Sequence, residues 1–257
     1  MTHTVEDAAI MLNHMVGLDD RYPASIKSPG NDYTQATGKD AAGMRIGLVK
    51  GFSRKDLDSD VDQALTSALD LFAGMGVEIV ELEVPELTDA LDYGTLFRHI
   101  MLWEFNEVLG DLYRSTADRE HMFGPFVHAD MRRVQSVTRA DYESAISRRA
   151  EHVNSVRSVF SRVDALITPT VPDVPPLQSE GLETWLRGRT FNLPFSYLGF
   201  PAISIPCALS REGLPIGIQL VGPDLGEMQL LRLADAFERA SGFPSARPRI
   251  HRSLDVE

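Results

Sequence analysis

A strand–helix–strand pattern in the first third of the chain constrains the fold more than any other feature. Residues 44–49 form a short apolar run that is typical of a buried strand, and residues 77–84 form a second such run. Between the two runs, apolar residues recur at the helical period, and Ser59 with Asp62 three residues later predicts a capping box where this helix begins. This order predicts two parallel strands joined by a helix, as in an α/β sheet.

Two further capping-box patterns mark helix starts elsewhere in the chain. Thr4 with Asp7 predicts a helix that extends to about Val16, and Thr138 with Asp141 predicts a long helix. The intervening residues 17–43, rich in Pro, Ser, Gly and Asp, predict a surface loop. Further helices are predicted at residues 87–113 and 227–240, further strands at 165–168, 202–205 and 216–221, and an extended tail at 247–257.

The charge and composition exclude several classes of partner. The formal net charge is −12, which disfavours binding to nucleic acid or to an anionic membrane surface. No apolar run approaches the roughly 18 residues that a spanning helix needs, and residues 1–10 lack the pattern of a signal peptide. Because Cys207 is the single cysteine, no internal disulfide can form, and we expect a cytoplasmic protein.

The sequence offers no pattern for an activated nucleophile. An activated serine needs a neighbouring base and an oxyanion hole built from closely approaching backbone. The chain contains no Gly-Gly pair, no Ser-Ser pair and no Gly-x-Ser-x-Gly elbow. Its four lysines lie in the first loop or beside the first strand, where a solvated side chain is expected; they are Lys27, Lys39, Lys50 and Lys55. We therefore assign no catalytic residue.

Metal and cofactor motifs are also missing from the sequence. Four alternating aspartates at residues 56–62 suggest a calcium loop, but Val61 and Ser67 stand where an EF-hand needs Gly and Glu. We therefore interpret this run as the polar start of a helix, where the helix macrodipole favours acidic residues. The seven histidines lack metal-ligand spacing. We predict no metal and no cofactor.

One loop has the composition of a small-molecule site. Residues 187–196 join a Pro-rich loop to a predicted strand and combine aromatic, amide and hydroxyl groups. The alternative is that the start of a helix packs Phe191 and Phe195 into the core, and the sequence leaves both interpretations open. The candidate substrate-binding residues are Thr190, Phe191, Asn192, Phe195 and Ser196.

Three ordered segments carry a resemblance to a known family. They are Asp-Ala-Leu-Ile-Thr-Pro-Thr at residues 164–170, Gly-Phe-Pro-Ala-Ile-Ser-Ile-Pro-Cys at 199–207 and Gly-Leu-Pro-Ile-Gly-Ile-Gln-Leu-Val-Gly at 213–222. In this order and spacing they resemble the C-terminal half of the amidase signature family. Residues 1–9 and 44–47 resemble earlier segments of the same half, so the resemblance runs through nearly the whole chain.

The resemblance implies an α/β fold with a mixed sheet flanked by helices, of which residues 1–257 form a single, incomplete domain. It implies a family that hydrolyses carboxylic amides with a Ser–Ser–Lys triad, carried in an N-terminal half that this chain lacks. We expect no activity from the chain alone. The expected partners are a small amide substrate, once a catalytic half is supplied, and either that half as a separate chain or a second copy. The alternatives are a non-catalytic binding or structural partner of such a half and a gene remnant.

Overall fold

The computed structural model of the chain describes residues 1–22, 25–27, 30–88, 93–177, 179 and 186–243. Within these residues, the strands are β1 (Arg45–Val49), β2 (Glu78–Leu82), β3 (Ala165–Pro169), β4 (Ala202–Leu209) and β5 (Pro215–Val221). They form one sheet in the order β2-β1-β3-β5-β4. Strand β1 is parallel to β2 and β3, whereas β5 is antiparallel to β3 and β4. The sheet is therefore mixed, as expected.

Helices cover both faces of this sheet. Within the described residues they are α1 (Val5–Met15), α2 (Ser59–Gly74), α3 (Pro85–Thr88), α4 (Tyr93–Ser115), α5 (Arg119–Met122), α6 (Pro125–Arg133), α7 (Arg139–Val159), α8 (Leu193–Leu198) and α9 (Glu227–Ser241). A short 3₁₀ helix, Tyr33–Ala36, interrupts the predicted first loop. No helix in the described part of the chain is both long and apolar enough to cross a membrane.

The predicted strand–helix–strand unit is present as β1–α2–β2, but the helix is capped differently. Asp58, not Ser59, is the N-cap, and its side chain accepts a hydrogen bond from the backbone N–H of Asp60 at 2.8 Å. The predicted Ser59–Asp62 capping box is therefore wrong by one position, because adjacent Asp and Ser residues are both competent caps. The second strand is shorter than residues 77–84, and the segment predicted as one helix at residues 87–113 contains parts of α3 and α4.

The other two capping boxes are confirmed. Thr4 accepts a hydrogen bond from the backbone N–H of Asp7 at 3.0 Å, and the Asp7 carboxylate accepts one from the N–H of Thr4. Thr138 and Asp141 repeat this arrangement at the start of α7. The predicted tail at residues 247–257 lies outside the described residues.

The hydrophobic core has two parts, one on each face of the sheet. Helices α1, α2 and α9 pack on one face, where Ile46, Phe72 and Phe237 are fully buried. On the other face α7 and α8 pack against the sheet, and Phe191 and Leu166 are fully buried there. Side chains alternate between the faces along each strand, so each buried strand contributes to both parts.

Candidate functional site

The two aromatic residues of the predicted binding segment lie in the core. Phe191 is 0% exposed and Phe195 is 2% exposed. Both rings stand edge-on to Phe52, which follows β1, with ring centroids 5.4 and 6.0 Å away. Edge-to-face pairs of this kind add to the stability that burial itself provides. The structure therefore adopts the arrangement in which the start of a helix packs both rings inward.

The polar residues beside these rings hold the segment in place. The Asn192 amide nitrogen donates to the backbone oxygen of Thr170 at 3.0 Å and to that of Gly188 at 3.2 Å. The Thr190 hydroxyl donates to the backbone oxygen of Arg187 at 2.7 Å. The bond to Thr170 ties the turn before α8 to the residue that follows β3, and the other two bonds lie within the turn. The two bonds from Asn192 use both of its amide donors and leave its side-chain oxygen available as an acceptor.

Ser196 has a different position, at the edge of an open cleft. The cleft has a volume of about 490 Å³ and lies between α4 and the end of α8. Arg149 of α7 and Glu104 of α4 contribute opposite charges to its walls. The apolar wall comes from one side of α4: Phe97, Ile100, Met101, Phe105, Val108 and Leu109. A mostly apolar cleft of this size with a few polar groups is suited to a small ligand.

Three aromatic side chains next to this cleft form a partly buried cluster. Tyr93, His152 and Tyr197 contact one another, with ring centroids 5.2 to 6.0 Å apart. Burial raises the pKa of both tyrosine hydroxyls. Burial, together with the nearby positive charge of Arg148, lowers the pKa of His152 below its ordinary value. Burial therefore favours the uncharged form of each side chain in this cluster.

A second polar region lies where β3 leaves the sheet. The hydroxyl oxygens of Thr170 and Ser204 are 2.6 Å apart. A Cβ atom on Gly217, which lies between them on β5, would come within 2.9 Å of the Thr170 hydroxyl. The absence of a side chain at Gly217 therefore leaves room for this hydroxyl pair, which is open to solvent at Ser204.

A buried amide connects this region to the binding segment. The Gln219 side-chain nitrogen donates to the Thr168 hydroxyl at 3.2 Å and to the backbone oxygen of Phe191 at 3.1 Å. Both side chains are buried, so these hydrogen bonds satisfy groups that water does not reach. Sequence alternation places Gln219 on the strand face opposite Ile218. It carries no signal that Phe191 covers that face.

The described residues contain no serine that is paired with a lysine base. All four lysines are exposed, and the Lys50 amine lies 3.3 Å from the Glu81 carboxylate at the surface. No hydrogen bond joins a lysine to a serine among the described residues. The buried Ser53 hydroxyl accepts from the N–H of Val49 and donates to the oxygen of Ile167, so its role is structural. Burial raises the pKa of Cys207 to about 12, which keeps the thiol protonated.

The alternating aspartates have structural roles at the start of α2. Asp58 caps the helix, Asp60 pairs with Arg211 at 2.7 Å, and Asp62 pairs with Arg54. In the described part of the chain, no three His, Cys, Asp or Glu side chains come together as a metal site.

Comparison with known proteins identifies the family to which this fold belongs. The amidase family model matches residues 1–231, which is most of the chain. The chain belongs to the amidase family. An amidase of Pseudomonas putida is 30% identical over 263 residues, which cover 97% of this chain and 54% of that protein. A glutamyl-tRNA(Gln) amidotransferase subunit of Geobacter metallireducens is 30% identical over 272 residues, covering 95% of this chain and 54% of that protein.

Solved amidase signature structures have the same fold as this amidase-family chain. A bacterial aryl acylamidase of this group superposes with a TM-score of 0.75 at 21% identity, over 95% of this chain and 54% of that one. A 6-aminohexanoate cyclic dimer hydrolase gives a TM-score of 0.78 at 22% identity, over 96% and 55%. The chain thus spans about half the length of the curated relatives that it matches.

Proposed function

We propose that the chain is the C-terminal portion of an amide hydrolase and that it hydrolyses no amide by itself. The complete enzyme would convert a carboxylic amide to an acid and ammonia or an amine. Family membership supports the reaction class. All four lysines are exposed, and this observation carries the proposed dependence on further polypeptide. A lysine that serves as a base must be shielded from solvent, because burial is what lowers its pKa.

The chemistry expected from the resemblance is acyl transfer through serine. A serine oxygen attacks the amide carbon, the carbon–nitrogen bond breaks, and the departing nitrogen takes up a proton from the acid–base pair. Water then releases the acid from the acyl-serine. In this scheme the present chain supplies strands of the sheet, the helices that cover it and part of the substrate wall. The Ser196 edge of the cleft and the Thr170–Ser204 hydroxyl pair are the parts of that wall that we propose.

The test is to produce the chain together with the polypeptide encoded immediately upstream of the Met1 codon and to measure amide hydrolysis. We expect ammonia or amine release that requires both polypeptides and that disappears when a serine of the upstream polypeptide is replaced by alanine. Equal turnover by the present chain without the other polypeptide would overturn the proposal.

A non-catalytic binding partner is the second candidate function, and exposed apolar side chains on α1 favour it. Met11 is 52% exposed and Met15 is 73% exposed, although both lie on a helix that packs into the core through Val5 and Ala9. Exposed apolar patches of this kind mark interaction surfaces. If the purified chain is a stable, monodisperse monomer with no tendency to associate, this second function loses its support.

A further inference from the structure

His128 on α6 is a buried histidine with one ring nitrogen that lacks a hydrogen-bond partner. The residue is 8% exposed, and its Nε2 atom is buried without a partner among the described residues. The other ring nitrogen, Nδ1, lies 2.7 Å from the hydroxyl oxygen of Tyr113 on α4. Because a buried polar nitrogen without a partner is costly, a movement that supplies one to Nε2 is favourable.

A carboxylate on α5 lies just beyond hydrogen-bond distance of this nitrogen. The Oε2 atom of Glu120 is 3.9 Å from Nε2 of His128, which is about 1 Å longer than a charge-assisted hydrogen bond. The Glu120 side chain is 79% exposed, so it can move towards the ring without disturbing the core. Phe123, directly after α5, packs against the Tyr113 ring with ring centroids 5.3 Å apart. This contact keeps α5 close to the Tyr113–His128 pair.

The protonation state of the ring decides how strongly it attracts this carboxylate. In the neutral ring, Nδ1 accepts from the Tyr113 hydroxyl and Nε2 carries the proton, because the opposite tautomer would direct a nitrogen lone pair at Glu120. A second proton makes both nitrogens donors, and the Tyr113 hydroxyl then turns to accept from Nδ1–H. The ring also gains a positive charge, which attracts the Glu120 carboxylate to Nε2–H.

The neighbouring charged groups leave Glu120 as the partner of a charged ring. The other titratable side chains of α5 and α6 are Arg119, His121, Asp130, Arg132 and Arg133. Among them, His121 pairs with Asp118 and Asp130 pairs with Arg133, while on α4 Asp111 pairs with Arg114. The guanidinium of Arg119 lies 5.7 Å from the centre of the Tyr113 ring. This charge and that of Arg132 oppose protonation of His128, but both side chains are exposed and therefore screened by solvent. The 3₁₀ helix Val134–Ser136, which follows α6, contains no titratable side chain.

We propose that His128 and Glu120 form a pH-dependent latch between α5 and α6. Protonation of His128 brings the Glu120 carboxylate into a hydrogen bond with Nε2–H and holds α5 against α6. The latch adjoins the cleft, because Tyr113 lies one helical turn after Leu109, which lines it. It does not depend on the reaction that the complete protein performs.

The latch closes as the pH falls. Histidine side chains change charge between about pH 5 and pH 8, and carboxylates change charge at lower pH. Above the histidine range the ring is neutral and Glu120 stays apart. Within that range the proton on His128 closes the latch, and at still lower pH protonation of Glu120 opens it again. Because the carboxylate stabilises the charged ring, its removal makes His128 harder to protonate.

The test is an NMR titration of the His128 ring, from about pH 8.5 to about pH 6, in the wild-type chain and two variants. Glu120→Gln removes the charge of the latch, and Glu107→Gln, the matched control, makes the same change at an exposed glutamate on α4. The signal of His128 is identified by its loss in His128→Gln. We expect Glu120→Gln to lower the midpoint of the His128 titration by about half a pH unit and Glu107→Gln to leave it unchanged. At the high-pH end, the ring nitrogen shifts should show the proton on Nε2.

Amide hydrogen exchange of α5 measures the closure itself. Comparison of the wild-type chain with Glu120→Gln at one pH removes the intrinsic effect of pH on the exchange rate. We expect the amides of α5 to exchange more slowly in the wild type than in Glu120→Gln at about pH 6, and at equal rates at about pH 8.5. Both glutamate variants should fold, because both side chains are exposed.

Four results would overturn the latch. An unchanged His128 midpoint in Glu120→Gln, or a ring that stays neutral over the whole titration, would show that the carboxylate does not engage a charged ring. An equal shift in Glu107→Gln would assign the effect to the loss of negative charge in general. A midpoint that shifts while the exchange of α5 does not would show attraction without closure. A neutral ring protonated on Nδ1 would contradict the hydrogen bonding from which the latch follows.

Discussion

Replacing Phe191 by alanine should destabilise the protein severely, because the ring is a core residue. The side chain is 0% exposed and packs edge-on to Phe52. Truncation of a fully buried phenylalanine costs about 3–5 kcal/mol, of which about 0.5–1.5 kcal/mol belongs to the aromatic pair. At 25 °C this lowers the ratio of folded to unfolded protein by a factor of roughly a hundred to several thousand. The free energy of unfolding, measured by urea denaturation, gives the value directly.

Ser196→Ala is the matched control for this prediction. It removes an exposed hydroxyl on α8, one helical turn beyond Asn192, and should change the free energy of unfolding by less than about 0.5 kcal/mol. A double-mutant cycle with Phe52→Ala should give a coupling energy of about 0.5–1.5 kcal/mol. If Phe191→Ala cost less than about 1 kcal/mol, the ring would not be packed as described. Its assignment as a ligand contact would then regain support.

Three further changes probe the same region and the surface around it. Gln219→Leu should cost about 1–3 kcal/mol in thermal or urea unfolding, because Thr168 and the oxygen of Phe191 lose their shared donor; unchanged stability would refute this. With its pKa near 12, the folded Cys207 thiol should react with iodoacetamide at pH 8 about a thousandfold more slowly than in urea, as followed by mass spectrometry; equal rates would show that it is accessible and ionised. The Arg157 guanidinium lowers the pKa of Asp224, so this pair stabilises the fold above the ordinary carboxyl pKa and loses that effect as pH falls. The melting temperature of Arg157→Ala should therefore lie below that of the wild type at pH 7 and match it once the Asp224 carboxyl is protonated. A difference in melting temperature that does not depend on pH would contradict the stabilising role of this ion pair.

Local sequence patterns predicted much of the fold because helix starts and hydrophobic periods depend on residues that are close together in the chain. The β1–α2–β2 unit follows from the hydrophobic period, and the Thr4 and Thr138 caps follow from side-chain chemistry within four residues. The period does not specify that β5 runs antiparallel between β3 and β4, since strand pairing depends on residues far apart in the chain. The resemblance to a known family, not the period, predicted the mixed sheet.

The candidate site was less predictable because it depends on tertiary contacts. The burial of Phe191 depends on Phe52, 139 positions earlier in the sequence, and a loop sequence alone fits either an exposed or a buried ring. The apolar side chains of α4 that line the cleft have the same sequence pattern as core residues. Ser196 is the predicted binding residue that the structure places on that cleft, and its contact with a ligand stays a prediction.

Amide turnover by the purified 257-residue chain alone tests directly whether hydrolysis needs further polypeptide. Ammonia and amine release would be followed with a primary amide, an aryl amide and glutamine, beside Ser196→Ala and Ser204→Ala variants. We expect release equal to the buffer blank for all three proteins. Turnover by the wild-type chain that disappears in either serine variant would contradict it, since the chain would then contain its own nucleophile.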